Sequence, residues 1–289
     1  MRFLTVPVTL IYLIVTVHAQ QSFRVGKDLS PNLVFTSFEY PGNVLQRATG
    51  INASGDVVGW WFDDISGRIR GYLYGQGAFT DFDIPVTDGV WGYGINDAGV
   101  IVGAAAFQSS SQGYTLTNGQ YRRVHCAGYS NSEATGINRQ GDVVGDCWRS
   151  GHYTHGFLLH RGNYVAIEYP DSVSTSVYGI NAKGAVVGSF ALNSNVGGGY
   201  LLEDGTYTVI DFPGATFSYP TGISGTGVIV GNYQDNPEYG GYVLQNGVFH
   251  KVLVPGAIFT YVFGINDQNV IVGSYEDSSL TWHGFTAHK

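Results

Sequence analysis

Hydrophobic and polar positions alternate along this chain in short runs, and one such run returns six times. A clear copy is Gly-Ile-Asn-Ala-Lys-Gly-Ala-Val-Val-Gly at residues 179–188. The copies begin at Gly50, Gly94, Gly136, Gly179, Gly222 and Gly264, so neighbouring copies start 42 to 44 residues apart. A fixed period in this range is typical of repeat architectures. No segment keeps a 3.6-residue apolar period over the length of a helix.

Each copy contains four short strands separated by turn residues. In the first copy we expect strands at residues 47–52, 56–62, 70–74 and 79–85. Asn and Gly in the first turn supply the side-chain cap and the positive φ that a tight hairpin needs. Four strands in each of six copies predict an all-β fold, a six-bladed β-propeller of four-stranded blades. A β-solenoid would have fewer and more regular turns, and a single β-sandwich would not repeat six times.

The connections predict the order of the strands within a blade. The longest connection follows the strand that ends in Pro, so the Gly-Ile-Asn strand should be innermost. The sixth copy ends after Trp282 to Phe285 without a fourth strand, whereas residues 34–41 have that strand's pattern and no blade of their own. We therefore expect the N-terminal strand to complete the last blade and close the ring. Alternatively, each blade begins at its Pro-terminated strand, and this arrangement also gives six blades.

Two further motifs accompany the repeat. They are His-Gly-Phe-Leu at residues 155–158 and Tyr-Thr-Val-Ile-Asp-Phe-Pro-Gly at residues 207–214. With them, residues 33–288 resemble the exported HAF-repeat proteins. The chain departs from that family at the HAF motif, which here reads His-Gly-Phe and occurs in only two copies. The other copies replace the His with Arg70, Gln112, Gly198 and Gly240. The resemblance implies an exported repeat protein of propeller type, with no established activity and no catalytic residues.

The N-terminus has the pattern of a secretory signal peptide. Met1-Arg2 precedes an apolar run at residues 3–17, and Val-His-Ala at residues 17–19 fits a cleavage site. We expect a signal peptide at residues 1–19, a flexible leader at residues 20–32 and a single propeller domain at residues 33–289. The product would be secreted, extracellular or periplasmic, with no membrane insertion of the mature chain. A retained N-terminal anchor is the alternative.

Composition narrows the class of partner. The chain is 44% hydrophobic and 12% charged, which is typical of a globular protein. Cleavage after Ala19 leaves 13 basic and 22 acidic residues, a net charge of −9, so nucleic-acid binding is not expected. The two cysteines, Cys126 and Cys147, should form a disulfide in an exported chain, worth about 3 kcal/mol by loop entropy. We expect a monomer without a cofactor.

The six copies differ at the residue three before each Gly-Ile, at the mouth of the expected channel. These residues are Arg47, Trp91, Glu133, Ser176, Tyr219 and Tyr261. Aromatic rings beside a charged pair suit a sugar ring, which offers an apolar face and hydroxyls; ordinary rim packing is the alternative. The residue just before Gly alternates between small and large, which favours packing between blades. The candidate ligand-binding residues are Arg47, Trp91, Glu133, Tyr219, Tyr261, Trp148, Arg149 and His152.

The motifs of several enzyme classes are absent from the sequence. It has no Gly-x-Ser-x-Gly and no phosphate-binding Gly-rich loop. His152, His155 and His160 do not have metal-ligand spacing, because in an alternating strand the last two point to opposite faces. We therefore predict a binding module for an extracellular carbohydrate or protein. The alternatives are a polysaccharide lyase or glycoside hydrolase using Glu133 with a second carboxylate, and a non-catalytic structural protein of the cell surface.

Overall fold

The computed structural model describes residues 16–17, 23–42, 45–151 and 153–289, and its regular structure is almost entirely β-strand. Three strands precede the repeats: β1 (Thr16–Val17), β2 (Arg24–Val25) and β3 (Val34–Phe38). A 3-10 turn at Ser30–Asn32 lies between β2 and β3. Within these described ranges, no helix is long and apolar enough to cross a membrane.

Six antiparallel units of similar layout follow. The first contains β4 (Gln46–Ile51), β5 (Val57–Asp63), β6 (Arg68–Gly75) and β7 (Ala78–Phe82). The second contains β8 (Gly89–Ile95), β9 (Ile101–Phe107), β10 (Ser110–Thr117) and β11 (Gln120–Val124). The third contains β12 (Asn131–Ile137), β13 (Val143–Trp148), β14 (His155–His160) and β15 (Asn163–Ile167).

The remaining units continue in the same order. The fourth contains β16 (Ser174–Ile180), β17 (Val186–Ala191), β18 (Gly197–Glu203) and β19 (Thr206–Ile210). The fifth contains β20 (Phe217–Ile223), β21 (Ile229–Asp235), β22 (Glu238–Gln245) and β23 (Val248–Val252). The sixth contains β24 (Phe259–Ile265), β25 (Ile271–Glu276) and β26 (Trp282–His288). In this last unit β3 pairs antiparallel with β26.

The chain is an all-β propeller of four-stranded blades in which successive strands of a unit pair with one another. Among the described residues the strands form five sheets, whereas six separate ones were expected. The difference arises because a parallel bridge between Ile69 and Gly89 joins the first and second units into one eight-stranded sheet.

The segment before β3 differs from the flexible leader expected at residues 20–32. From residue 23 onward it lies against the fifth unit, where β2 pairs in parallel with β23. The Phe23 ring packs edge-on against Phe249 at 5.4 Å, and Ser30 Oγ accepts a hydrogen bond from the backbone of Leu253 at 2.8 Å. A two-residue strand is too short to show a period in the sequence.

Of the predicted signal peptide, the structure describes only residues 16–17. The backbone of β1, at residues 16–17, pairs in parallel with β19. The rest of the predicted signal peptide and residues 20–22 lie outside the described residues.

The glycines of Gly-Ile-Asn pack against one another around the central axis. In each inner strand the register shifts just before this glycine, for example between Ala48 and Gly50. A Cβ on Gly50 would lie 2.8 Å from Cα of Gly94, and a Cβ on Gly264 would lie 3.7 Å from Cα of Gly50. The bulge directs the extra residue toward the axis, and the missing side chains let six backbones meet. This glycine is therefore required by close packing, whereas the glycine of the first turn, Gly55, has the expected positive φ.

The glycine of Val-Val-Gly makes room for an aromatic ring from the third strand. A Cβ on Gly59 would overlap both the carbonyl oxygen of Arg47 and the ring of Tyr72. Tyr72 is fully buried, and its hydroxyl donates to that same carbonyl at 3.1 Å. Tyr114 and Tyr200 make the equivalent hydrogen bonds in the second and fourth units. Each ring thus ties the third strand of a blade to its first.

The asparagines of Gly-Ile-Asn connect neighbouring units. The Asn138 side-chain oxygen accepts from the backbone of Asp142 at 2.9 Å, which caps the turn, while its amide donates to the carbonyl of Asn181 at 3.2 Å. The same link to the next unit is made by Asn96, Asn181 and Asn266. At the other two junctions Asp97 and Asp267 accept from the backbone of the preceding unit. The turn cap predicted from the sequence is thus only one of two roles of this asparagine, and the bond to the next unit is the other.

We expect two substitutions of Asn138 to separate the turn cap from the link between units. The fifth unit has Ser224 at this position, and its hydroxyl still accepts from Val228. Asn138→Ser should therefore keep part of the cap and lose the link, lowering the free energy of unfolding by about 1 kcal/mol. Asn138→Ala loses both and should lower it by roughly 2 kcal/mol. Urea denaturation measures both values, and equal losses for the two variants would contradict the role of the link.

Candidate functional site

A cavity of about 390 Å³ lies at the mouth of the central channel, at the end opposite the asparagines. We call it the mouth cavity. Its lining comes from the first two strands of the units and consists of Arg47, Thr49, Trp60, Tyr93, Glu133, Thr135, Tyr178, Tyr219, Thr221 and Phe263. The inner strands place these side chains here because the bulge before each glycine turns one residue toward the axis.

The floor of the mouth cavity alternates between threonine and aromatic side chains. Thr49 Oγ1 donates to the carbonyl of Gly92 in the next unit at 2.7 Å, and Thr135 and Thr221 make the equivalent bonds. Tyr93, Tyr178 and Phe263 fill the intervening positions, and all three line the cavity. The small residues therefore join units, as the packing interpretation expected, and the large ones supply ring surface.

Arg47 forms the cationic corner of the cavity. Its guanidinium carbon lies 3.4 Å from the centre of the Trp282 ring and 5.8 Å from that of Trp60. It donates to the backbone carbonyl of Gln46 at 2.9 Å. Burial lowers the pKa of Arg47 to about 10. No ion pair of Arg47 is found within the described part of the chain, so a partly desolvated cation faces the cavity.

Glu133 forms the acidic corner, and Asp146 lies directly opposite it on β13. Burial raises the pKa of Glu133 above its usual value, although a hydrogen bond from Ser111 opposes the shift. Burial also raises the pKa of Asp146 to about 8. Asp146 is 8% exposed and accepts from the backbone N–H of Val177 at 2.8 Å. Only Glu133 of the two lines the mouth cavity.

Asp146 occupies the position of an asparagine in another unit. In the fifth unit Asn232 accepts from the N–H of Val262 at 2.8 Å and donates to the carbonyl of the same residue at 2.9 Å. A protonated Asp146 has the same donor and acceptor, whereas an ionised one can only accept. Burial of Asp146 raises its pKa and favours the neutral form, whereas the hydrogen bonds that it accepts from Val177 and Ser176 oppose that shift.

The structure brings together some of the predicted site residues. Arg47, Glu133 and Tyr219 line the mouth cavity. Tyr261 lies behind Arg47, with its ring centre 6.0 Å from the guanidinium. Trp91 and Ser176 share the register position but are not part of the lining.

The other predicted residues lie elsewhere. Trp148 ends β13, and Arg149 donates to the carbonyl of Gly128 at 2.9 Å, in the loop held by the Cys126–Cys147 disulfide. This loop does not reach the mouth cavity. His152 is outside the described residues. The predicted disulfide itself is confirmed.

Sequence reasoning missed Trp60 and Asp146, and assigned Tyr93, Tyr178 and Phe263 to packing alone. Trp60 pairs with Arg47 across the first two strands, as Asp146 pairs with Glu133. Once the hairpin register is known, the second strand supplies a partner for every mouth residue. These partners could have been found in the sequence, because each directly follows the Val-Val-Gly motif, as Trp60 and Asp146 do.

Three of the described histidines contact carboxylates. His155 Nδ1 lies 2.9 Å from Glu168, and His160 Nδ1 lies 2.7 Å from Asp142. His283 bridges Glu39 and Asp277. In the described ranges no three His, Cys, Asp or Glu side chains come together as a metal site.

Comparison with known proteins shows the fold. No protein-family model matches the chain, and no curated protein matches its sequence. Among solved structures, AofleA from Arthrobotrys oligospora has a TM-score of 0.56 at 12% identity, over 94% of this chain and 92% of that one. The Aleuria aurantia lectin AAL, solved with Fucα1-6GlcNAc, has a TM-score of 0.53 at 12% identity, over 84% and 91%.

Propellers of other kinds are similar to the same degree. A putative gluconolactonase has a TM-score of 0.54 at 13% identity, over 92% of this chain and 98% of its own. TolB from Acinetobacter baumannii has a TM-score of 0.55 at 11% identity, and the chain covers 65% of its length. Identities this low show the propeller fold alone, and the likeness to HAF-repeat proteins rests on the repeated motifs.

We expect Asp146 to make stability depend on pH. Its pKa in the folded state, about 8, is above the unfolded value of 3.8, so ionisation costs stability as the pH rises from about 4 to 8. Asp146→Asn removes that cost and should be more stable than the wild type at pH 8, by a few kcal/mol (~3), and similar at pH 4. Denaturation at several pH values tests this, with exposed Asp64→Asn as the control. Parallel curves for the wild type and Asp146→Asn would refute it.

Proposed function

We propose that this protein is a secreted carbohydrate-binding module, a six-bladed propeller closed by its N-terminal strand, and that it binds a glycan in the mouth cavity. One observation carries the proposal. Aromatic rings, a partly desolvated Arg47 and Glu133 converge on one cavity of about 390 Å³. This volume is within the range of small-molecule sites.

The chemistry of the cavity suits a sugar. A pyranose offers an apolar face that packs on rings such as Trp60 and Tyr219, and its hydroxyls need donors and acceptors around their edge. Arg47 supplies donors only, and the carboxyl of Glu133 supplies acceptors. The A. aurantia lectin, which binds its fucosyl disaccharide on a similar fold, supports the same class of ligand.

The arrangement of the carboxyl groups favours binding over glycan cleavage. Glycosidases place two carboxyl groups on either side of the scissile bond, about 5 to 10 Å apart. Here Glu133 and Asp146 are paired side by side on adjacent strands, and Asp146 is engaged with the backbone of Val177. A lyase or hydrolase is the second candidate, because the raised pKa of both groups is typical of acid–base residues.

Several features support an exported protein of the HAF-repeat type. They are the N-terminal signal pattern, the repeat motifs and the Cys126–Cys147 disulfide, since disulfides persist outside the cytosol. An extracellular or periplasmic monomer that needs no cofactor fits this proposal. A protein ligand at the same face is the alternative partner.

A pair of adjacent tryptophans gives a matched test of the mouth cavity. Trp60 lines it, whereas Trp61 points to the other face of the blade and stacks on Tyr40 at 4.2 Å. On a glycan array and by calorimetry, Trp60→Ala should lose affinity for the bound sugar by about tenfold or more, equivalent to about 1.4 kcal/mol. Trp61→Ala should retain it, with circular dichroism showing that both variants are folded.

Two results would contradict the proposal. One is a blank panel of neutral and acidic glycans, and the other is binding that Trp60→Ala leaves unchanged. The same glycans are assayed for new reducing ends and unsaturated products. Turnover that is lost in Glu133→Gln would establish the enzyme instead.

A further inference from the structure

A second cavity, of about 760 Å³, lies between the fourth and fifth units on the same face. We call it the seam cleft. It shares Tyr178 and Tyr219 with the mouth cavity, so the two spaces are adjacent. The rings of these two tyrosines are 6.0 Å apart. A ligand chain seated in the mouth can therefore continue into the cleft past a pair of aromatic rings.

One position in each repeat explains why the cleft is open here. In every unit one residue at the mouth end of the third strand faces the next unit. It lies two positions before a glycine that all six units share: Gly71, Gly113, Gly156, Gly199, Gly241 and Gly284. We call these the seam residues: Ile69, Ser111, Thr154, Gly197, Tyr239 and Trp282.

The seam residues of the other units make contacts across the junction. Trp282 stacks on Arg47, and Tyr239 lies 4.6 Å from Tyr261 between ring centres. Ser111 and Thr154 contact Glu133 and Ser176 through their hydroxyls. Ile69 pairs with Gly89 of the next unit. In five units the seam residue thus meets the neighbouring inner strand near its mouth end.

The fourth unit has no side chain at this position. A Cβ on Gly197 would overlap the carbonyl oxygen of Phe190, so the local backbone keeps the position bare. The mouth residue of the fifth unit, Tyr219, therefore lacks a seam partner, and the space beside it is the cleft. The cleft follows from the sequence of this one repeat.

The lining of the seam cleft differs in chemistry from the mouth cavity. It contains no charged residue. Hydroxyl and amide groups are abundant, as in Ser174, Ser189, Asn193 and Thr216. Phe217 stands at the edge with 55% of its surface exposed and its ring 5.3 Å from that of Tyr219. An exposed ring beside neutral hydrogen-bonding groups fits an uncharged sugar, whereas an acidic sugar would find no cation.

We propose that the seam cleft binds a neutral sugar unit next to the one in the mouth cavity, so that the ligand is an oligosaccharide of at least two units. This rests on the proposed function of the mouth. Extension of the ligand by one neutral unit should add contacts with Phe217 and Tyr219 and the cleft hydroxyls. Affinity should therefore rise with chain length for neutral glycans.

The test uses glycans of one to four units: oligomers of glucose, galactose, mannose and N-acetylglucosamine, with oligogalacturonates as the charged series. Dissociation constants are measured by calorimetry for the wild type and two cleft variants. Phe217→Ala removes the exposed ring, and Ala191→Trp fills the cleft with the residue that the third unit has at the equivalent position, Trp148. The matched controls are Tyr153→Ala, which removes a ring that is 60% exposed, and Ala106→Trp in the second unit.

In the wild type and both controls, a neutral glycan should gain about tenfold in affinity from one unit to two, a change of about 1.4 kcal/mol. Phe217→Ala and Ala191→Trp should lose most of this gain and keep the affinity for the single unit. Oligogalacturonates should show no gain that depends on the cleft.

The outcomes separate the two proposals. Sugar binding that Trp60→Ala weakens, with a chain-length gain unchanged in both cleft variants, would overturn the seam cleft and leave the mouth site standing. A larger cleft-dependent gain for oligogalacturonates than for neutral glycans would also overturn it. No binding of any glycan would overturn both.

Discussion

Six backbones must meet around one axis, and the glycine at the start of each repeat makes that contact possible. A Cβ on Gly50 would collide with the neighbouring inner strand at 2.8 Å, and one on Gly264 would be tightly packed at 3.1 Å from the carbonyl oxygen of Thr49. The bulge that accompanies each glycine then turns the preceding residue inward. The floor of the mouth cavity, with Thr49 and its equivalents bonded to the next unit, is therefore a consequence of how the ring closes.

Around that ring, hydrogen bonds between units are made by polar side chains at two levels. At one end Asn138 and its equivalents bond to the next unit. At the mouth end Asp146, Asn232 and Ser274 each accept from the backbone of the following unit. Because these positions serve the ring, a carboxyl such as Asp146 can have a perturbed pKa without being catalytic. A raised pKa alone is weak support for an enzyme here.

Much of the fold could be predicted from the sequence, because the period and the turn residues are local. The strand of Gln46–Ile51 was expected within one residue of its bounds. The site was harder. Arg47 and Glu133 could be found because the copies disagree there, but Trp60 required the hairpin register and Gly197 required knowledge of what its counterparts contact. The segment at residues 23–33 escaped because its contacts are with residues more than 200 positions away.

The glycine ring also divides the molecule into two separate sides. At the level of the ring the channel offers only about 80 Å³, room for two or three water molecules. A sugar in the mouth cavity is therefore too large to pass along the axis and exchanges with solvent through the mouth. At the opposite end of the channel the asparagines of Gly-Ile-Asn are buried and bonded to the next unit.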